Sequence, residues 1–163
     1  MNSFVYYIPT KVYFGENQLG HLPEEILRCG RRVLLTYGGG SIRRSGLYDR
    51  IMELLHTAGC DVFELGGIDP NPRVQSVRDG ACICKENGIE VLLAVGGGST
   101  IDCTKWIAAS ACVDHDAWDF FNEVKAPVKD ALPIISVLTL AATGSEMDGC
   151  GVISNPDTDE KFG

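Results

Sequence analysis

The chain of 163 residues carries no apolar run of the roughly 18–20 residues that a membrane span requires, and no basic excess. With 14 Lys+Arg against 22 Asp+Glu the formal net charge is −8. An acidic surface repels phosphate backbones and anionic headgroups, so nucleic acid and membrane are excluded as partners. The start, Met1-Asn2-Ser3-Phe4, lacks the charged and apolar regions of a signal peptide, and the expected location is cytoplasmic. Metal and disulfide signatures are missing too. The 7 cysteines are odd in number and form no C-x-x-C pair. They read as reduced thiols serving as small core hydrophobes. Cys82 and Cys84, two apart on a helix, diverge rather than clip a metal. His21, His56 and His115 are scattered, with no H-E-x-x-H arrangement, and offer no zinc or iron site.

What remains is a soluble α/β pattern long enough for one domain. Short β-rich runs alternate with helical spacing, which predicts a mainly parallel sheet. Val5–Ile8 and Val12–Phe14 predict a small hairpin or edge element, followed by a helix from about Asn17 to Arg28. Strands are predicted at Arg32–Tyr37, Asp61–Leu65, Val91–Val95 and Ile134–Leu138. Helices are predicted around Leu47–Ala58, Val74–Asn87 and Thr100–Cys112, with a short helix near Trp118–Phe121. Val91–Val95 lacks alternation, as a strand buried on both faces does. Gly151–Ser154 opens an antiparallel element ended by Asn155-Pro156.

Three turns carry chemistry. In Val95-Gly96-Gly97-Gly98-Ser99-Thr100 a buried strand runs through glycines into a helix. Unpaired amides and the positive end of the helix dipole then meet at one place, which favours phosphate or pyrophosphate. The spacing is neither G-x-G-x-x-G nor a P-loop. The competing reading is a tight turn with Ser99 as N-cap. In Tyr37-Gly38-Gly39-Gly40-Ser41-Ile42-Arg43-Arg44 a second strand ends in glycines. No acidic residue lies between Gly38 and Arg44 to accept a ribose hydroxyl pair, and two arginines follow. That pattern accommodates a 2′-phosphate and predicts NADP(H) over NAD(H), unless both arginines are merely solvated. Thr139-Leu140-Ala141-Ala142-Thr143-Gly144-Ser145-Glu146 is a hydroxyl-rich turn after the last parallel strand. Asn71, between two prolines, completes the wall of one crevice at the strand ends.

The ordered set Gly96-Gly97-Gly98-Ser99-x-x-Asp102-x-x-Lys105 and Thr139-x-x-x-Thr143-Gly144-Ser145-Glu146, with Asp69-Pro70-Asn71-Pro72 upstream, resembles the iron-containing (group III) alcohol dehydrogenase family. Tyr37–Ser41 and Phe63–Ile68 are similar to its NADPH-dependent butanol dehydrogenase and aldehyde reductase branch. The resemblance implies a Rossmann-like, dehydroquinate synthase-like amino-terminal domain spanning 1–163. Gly97, Gly98 and Ser99 would hold the pyrophosphate, and Gly39 and Ser41 would line the 2′-phosphate pocket. Asn71 would meet the adenosine side, Asp102 the nicotinamide end, and Thr139, Thr143 and Lys161 the cofactor. It further implies hydride transfer between a nicotinamide dinucleotide and a small alcohol or aldehyde, assisted by Fe2+ or Zn2+. The family's metal ligands lie in a following helical domain and match no position here, so this chain is expected to be a fragment, inactive alone. Homodimers through the amino-terminal strands are also implied. The other readings are a stand-alone nucleotide-binding or regulatory module, and a sugar-phosphate cyclase of the dehydroquinate synthase type.

Overall fold

The computed structural model describes residues 3, 7–122 and 124–163. Its centre is a parallel sheet of β1 (Arg32–Tyr37), β2 (Asp61–Leu65), β3 (Val91–Gly96) and β4 (Ile134–Leu138), in the order β2-β1-β3-β4. Val33–Tyr37 pair with Val91–Val95, and Leu92–Gly96 with Ile134–Leu138. Every residue of β3 is buried, matching its unbroken apolar run.

The pleat divides that apolar material between two cores. Leu34 and Leu92 point to one face, where α4 (Val74–Asn87) contributes Val74, Val77 and Cys84 and α5 (Gly98–Ser110) contributes Cys103 and Ile107. Val33, Leu35, Val91, Leu93 and Val95 point to the other, against Leu22 and Ile26 of α1 (Leu22–Cys29) and Ile51 and Leu55 of α3 (Leu47–Thr57). Between β1 and α3 lies the four-residue α2 (Ser41–Arg44). Helix α4 approaches α5 closely because position 80 is glycine: a Cβ there would lie 2.5 Å from Ile107 Cδ1. The chain closes with an antiparallel pair, β5 (Ile153–Asn155) and β6 (Glu160–Phe162), in accord with the element expected from Gly151.

Several expectations need correction. Val5 and Tyr6 lie outside the described residues, and residues 7–14 form no strand. Side chains anchor this segment instead: Lys11 Nζ and Tyr13 Oη both donate to Glu25 Oε1 at 2.5 Å, and the Tyr13 ring stacks on His21. The helix read from Asn17 divides into a 3-10 turn at Gln18–His21 and α1, whose first turn holds the proline Pro23. Helix α5 starts at Gly98, earlier than expected, so its N-cap is Gly97 and Ser99 lies inside the helix. Not all thiols are core residues: Cys60, Cys84 and Cys103 are buried, whereas Cys29, Cys82, Cys112 and Cys150 are exposed. Burial pushes the Cys84 and Cys103 thiols up to about 12, which makes both poor nucleophiles. Among the described residues no helix is long and apolar enough to cross a membrane.

Candidate functional site

All four parallel strands point their C-terminal ends the same way, and the turns singled out by sequence follow β1, β3 and β4 at that edge. Register makes β1 and β3 neighbours, so the Gly38–Gly40 and Gly96–Ser99 turns lie side by side. Thr100 fills the space between them: a Cβ on Gly38 would sit 3.8 Å from Thr100 Oγ1.

The start of α5 has the features that favour an anion. Its N-cap, Gly97, has no side chain to satisfy the first amides, and no acidic residue lies in the first turn. The dipole end and its free N–H groups therefore face the crevice unopposed. Gly97 is extended (φ −91°, ψ −169°), a conformation open to any residue, and a Cβ on it would make only an ordinary 3.7 Å contact with Leu140. Gly39 is likewise free of steric demand, with nothing within 4 Å of an added Cβ. Neither glycine is needed by the fold, so the open space at both fits close backbone approach by a phosphate-bearing ligand. Gly98 differs, because its missing Cβ makes room for Thr143, whose Oγ1 would be 2.7 Å away.

The other candidates surround this point. Asn71, held at φ 58° between its prolines, donates its N–H to Ser99 Oγ at 3.4 Å. Lys161 Nζ donates to Asn71 Oδ1 at 2.6 Å. The β5-β6 pair brings that lysine in, because Ser154 N–H bonds Pro72 O and ties β5 to the 69–73 turn. Thr139 N–H donates to Gly96 O at 3.0 Å and extends the β4 ladder into the crevice. Gly97, Gly98, Ser99, Asn71, Lys161, Thr139 and Thr143 are thus one constellation, with Gly39 and Ser41 on the neighbouring strand end.

The half-buried Asp102 is committed to the loop after β4. Its Oδ1 accepts from Ser145 Oγ at 2.6 Å and its Oδ2 from Val152 N–H at 3.1 Å. One turn on, Lys105 Nζ donates to Ser145 Oγ (3.0 Å), Asp148 Oδ1 (3.0 Å) and Cys150 O (2.6 Å). Trp106 Nε1 donates to Gly151 O at 2.6 Å. Residues 102, 105 and 106 share a helix face and staple the 145–152 loop to α5. The Lys105 ammonium holds the Asp148 carboxyl below its usual range. Lys105 closes the sequence motif that begins at Gly96, but the motif alone does not show this role. Its spacing from Asp102 was the available signal.

A second polar cluster, unforeseen from sequence, stands behind the Gly38 turn. Glu64 Oε2 accepts from Tyr37 Oη (2.8 Å) and from Arg43 Nη2 (3.1 Å), and Oε1 accepts from Tyr48 Oη (2.8 Å). Arg43 is therefore not the free cation that the sequence suggested. Arg44 makes no ion pair among the described residues, and its Nη1 would be 3.6 Å from a Cβ on Gly40.

An open groove of about 1510 Å³ runs along β4 between residues 9–22 and 134–151. It shares Thr139 with the constellation and is also lined by Ser145, but it includes none of Gly39, Ser41, Asn71 or Gly97–Ser99. The glycine turns, with the free first amides of α5, lie outside this groove. Among the described residues no group of three or more His, Cys, Asp or Glu could hold a metal ion, so the side chains present do not fit a catalytic metal.

The model of the iron-containing alcohol dehydrogenase family matches residues 9–163, and the chain belongs to that family. It is 58% identical over 163 residues to the probable NADH-dependent butanol dehydrogenase 1 of Bacillus subtilis (strain 168), covering 100% of this chain and 42% of the relative. It is 41% identical to the NADPH-dependent aldehyde reductase YqhD of Escherichia coli (strain K12), over 99% of this chain and 41% of that protein. The crystal structure of NADH-dependent butanol dehydrogenase A from Thermotoga maritima superposes with a TM-score of 0.94 at 42% identity, covering 99% of this chain and 41% of that one. The chain thus spans about 42% of the length of these relatives.

Proposed function

We propose that residues 1–163 form one dinucleotide-binding domain, the cofactor half of a nicotinamide-dependent alcohol dehydrogenase of the butanol dehydrogenase and aldehyde reductase type. The observation that carries this reading is the uncapped N-terminus of α5 behind Gly97, with no acidic residue in its first turn and with Asn71, Lys161, Thr139 and Thr143 around it. Gly97, Gly98 and Ser99 would take the pyrophosphate, Gly39 and Ser41 the adenosine ribose, and Asn71 with Lys161 the adenosine side. Thr139, Thr143 and Asp102 would border the nicotinamide end, Asp102 by holding Ser145. When bound, the dinucleotide supplies a hydride to the carbonyl carbon of a small aldehyde, or takes one from the alcohol. This chain's own part is to bind and orient it.

The turn at Gly39–Ser41 leaves room for a 2′-phosphate, so NADP(H) is accepted as well as NAD(H). Two features support this: no carboxylate lies between Gly38 and Arg44, and Arg44 stands over Gly40 without an ion-pair partner among the described residues. The relatives divide on the point, the Bacillus protein being named for NADH and the Escherichia protein for NADPH.

Calorimetric titration with NADPH and NADH tests the reading. Binding of both, tighter than about 1 mM, is expected, and failure to bind either overturns it. The isolated chain is expected to show no aldehyde-dependent NADPH oxidation with added iron or zinc. Sustained turnover would refute the view that it is only the cofactor half.

A further inference from the structure

Glu64 occupies an unusual position for an acid beside a turn that has none of its own. It lies in β2, paired in register with Leu35 of β1, two residues before Tyr37 and the glycine turn. The segment after it folds back along that turn, with Ile68 N–H bonding Tyr37 O at 3.2 Å. Gly66 permits this approach, because a Cβ there would lie 2.7 Å from the Tyr37 ring. The Glu64 carboxylate is thereby brought to the side chain of Arg43, two residues beyond Ser41. Arg43 is held on three sides. Its Nη2 donates to Tyr37 Oη at 2.6 Å and to Glu64 Oε2 at 3.1 Å, and its guanidinium carbon stands 3.8 Å from the centre of the Tyr48 ring. Tyr48 is fixed in turn by its own bond to Glu64 Oε1. Four side chains make a closed set in which the positive charge of Arg43 is matched.

We propose that Glu64 determines how strongly this site favours a 2′-phosphorylated dinucleotide, by holding Arg43 as a neutral pair and leaving Arg44 as the cation at the turn. The inference rests on the nucleotide reading given above. A 2′-phosphate gains most from an arginine able to turn its fork toward it. Arg43 can do so only by leaving Glu64, whose carboxylate then faces the phosphate as a like charge. With Glu64 in place the site tolerates both dinucleotides, and without its charge the site selects the phosphorylated one.

The test uses ADP-ribose and 2′-phospho-ADP-ribose, probes without the nicotinamide, titrated into the chain as it stands at low ionic strength. Glu64→Gln keeps a hydrogen-bonding group beside Tyr48 and removes the charge. The affinity ratio for the phosphorylated over the plain probe is expected to rise about tenfold, with ADP-ribose affinity changed less than about twofold, and to shrink as salt is added. Adding Arg43→Gln to Glu64→Gln should abolish the gain. In the otherwise unchanged chain, Arg44→Gln should lower the ratio about tenfold, and Arg43→Gln should lower it too, because it leaves the Glu64 carboxylate unpaired beside the phosphate. The Arg43 and Arg44 variants decide the matter even should the Glu64 variant fail to fold. An unchanged ratio in Glu64→Gln, or a gain that survives loss of Arg43, overturns the role of Glu64 alone. If the unaltered chain binds neither probe, the nucleotide reading falls and takes this inference with it.

Discussion

Ser145 donates its hydroxyl to Asp102 at 2.6 Å while accepting from Lys105 at 3.0 Å, so one small side chain joins the acid and the base that lie a helical turn apart on α5. The hydroxyl-rich turn after β4 is therefore located by the same helix whose first amides face the crevice. Lys105→Met removes three hydrogen bonds from the loop, and breaking charged hydrogen bonds of this kind costs about 1–3 kcal/mol. Hydrogen exchange of amides 145–152 should quicken and dinucleotide affinity should fall about tenfold, with the sheet amides still protected. Uniform loss of protection across the sheet would show that Lys105 serves the whole fold rather than the loop.

Gly97→Ala and Gly39→Ala separate a structural turn from a ligand site. Neither position has a left-handed φ, and neither added Cβ meets a close neighbour. Stability should change by less than about 1 kcal/mol, the scale of replacing one weak cap by another. Dinucleotide affinity should nevertheless drop by about 100-fold for Gly97→Ala, since the methyl group would occupy the approach of the phosphate oxygens. Calorimetry and a thermal melt of each variant are the measurements. Unchanged affinity would return both turns to a purely structural role.

Arg78 grips Asp116 through Nε at 2.8 Å and Nη2 at 2.9 Å, and Asp116 also caps the 3-10 turn at Ala117–Phe120 by accepting from Trp118 N–H. The Arg78 guanidinium holds the Asp116 carboxyl below its ordinary 3.8. A carboxyl depressed by folding stabilises the fold above its unfolded value and loses that contribution as pH falls through the folded one. Urea midpoints should therefore show a difference between the parent and Asp116→Asn that is constant above about pH 5 and closes below pH 3.8. A difference that persists undiminished at lower pH would refute the ion pair as its source.

Thr36→Val isolates the buried hydroxyl pair between β1 and α5. Thr36 Oγ1 and Thr104 Oγ1 are 2.6 Å apart, and Thr104 donates onward to Thr100 O at 2.7 Å. Losing one buried partner should cost about 1–3 kcal/mol, and the Thr36→Val/Thr104→Val pair should cost less than the sum of its single changes. Additive losses in urea unfolding would contradict the coupling.

The parallel sheet was legible because its strands are short, apolar and separated by glycine turns. β1, β2 and β4 fall at the expected residues, and β3 extends one further, to Gly96. The early segment misled because Val12, Tyr13 and Phe14 have strand-like composition, whereas a strand also needs a ladder partner, and Lys11 and Tyr13 found Glu25 instead. Ser99 misled in the opposite sense. It has the chemistry of a cap, but Gly97 takes that place and the Ser99 hydroxyl serves Asn71. Glu64 was invisible as part of the site because it lies 21 residues from Arg43 in sequence and meets it only through the pairing of β2 with β1.

The hydroxyl pair of Thr36 and Thr104 acts as a registration mark. Helix α5 could otherwise slide or turn on an apolar sheet with little penalty, because dispersion contacts are non-directional, whereas this bond fixes its azimuth. Thr36 is one residue before Tyr37, and Thr104 is one helical turn after Thr100, whose hydroxyl sits between the two glycine turns. The spacing between the two crevice walls is thus gauged from inside the core, so a substitution far from solvent can detune ligand fit while every residue lining the crevice stays the same.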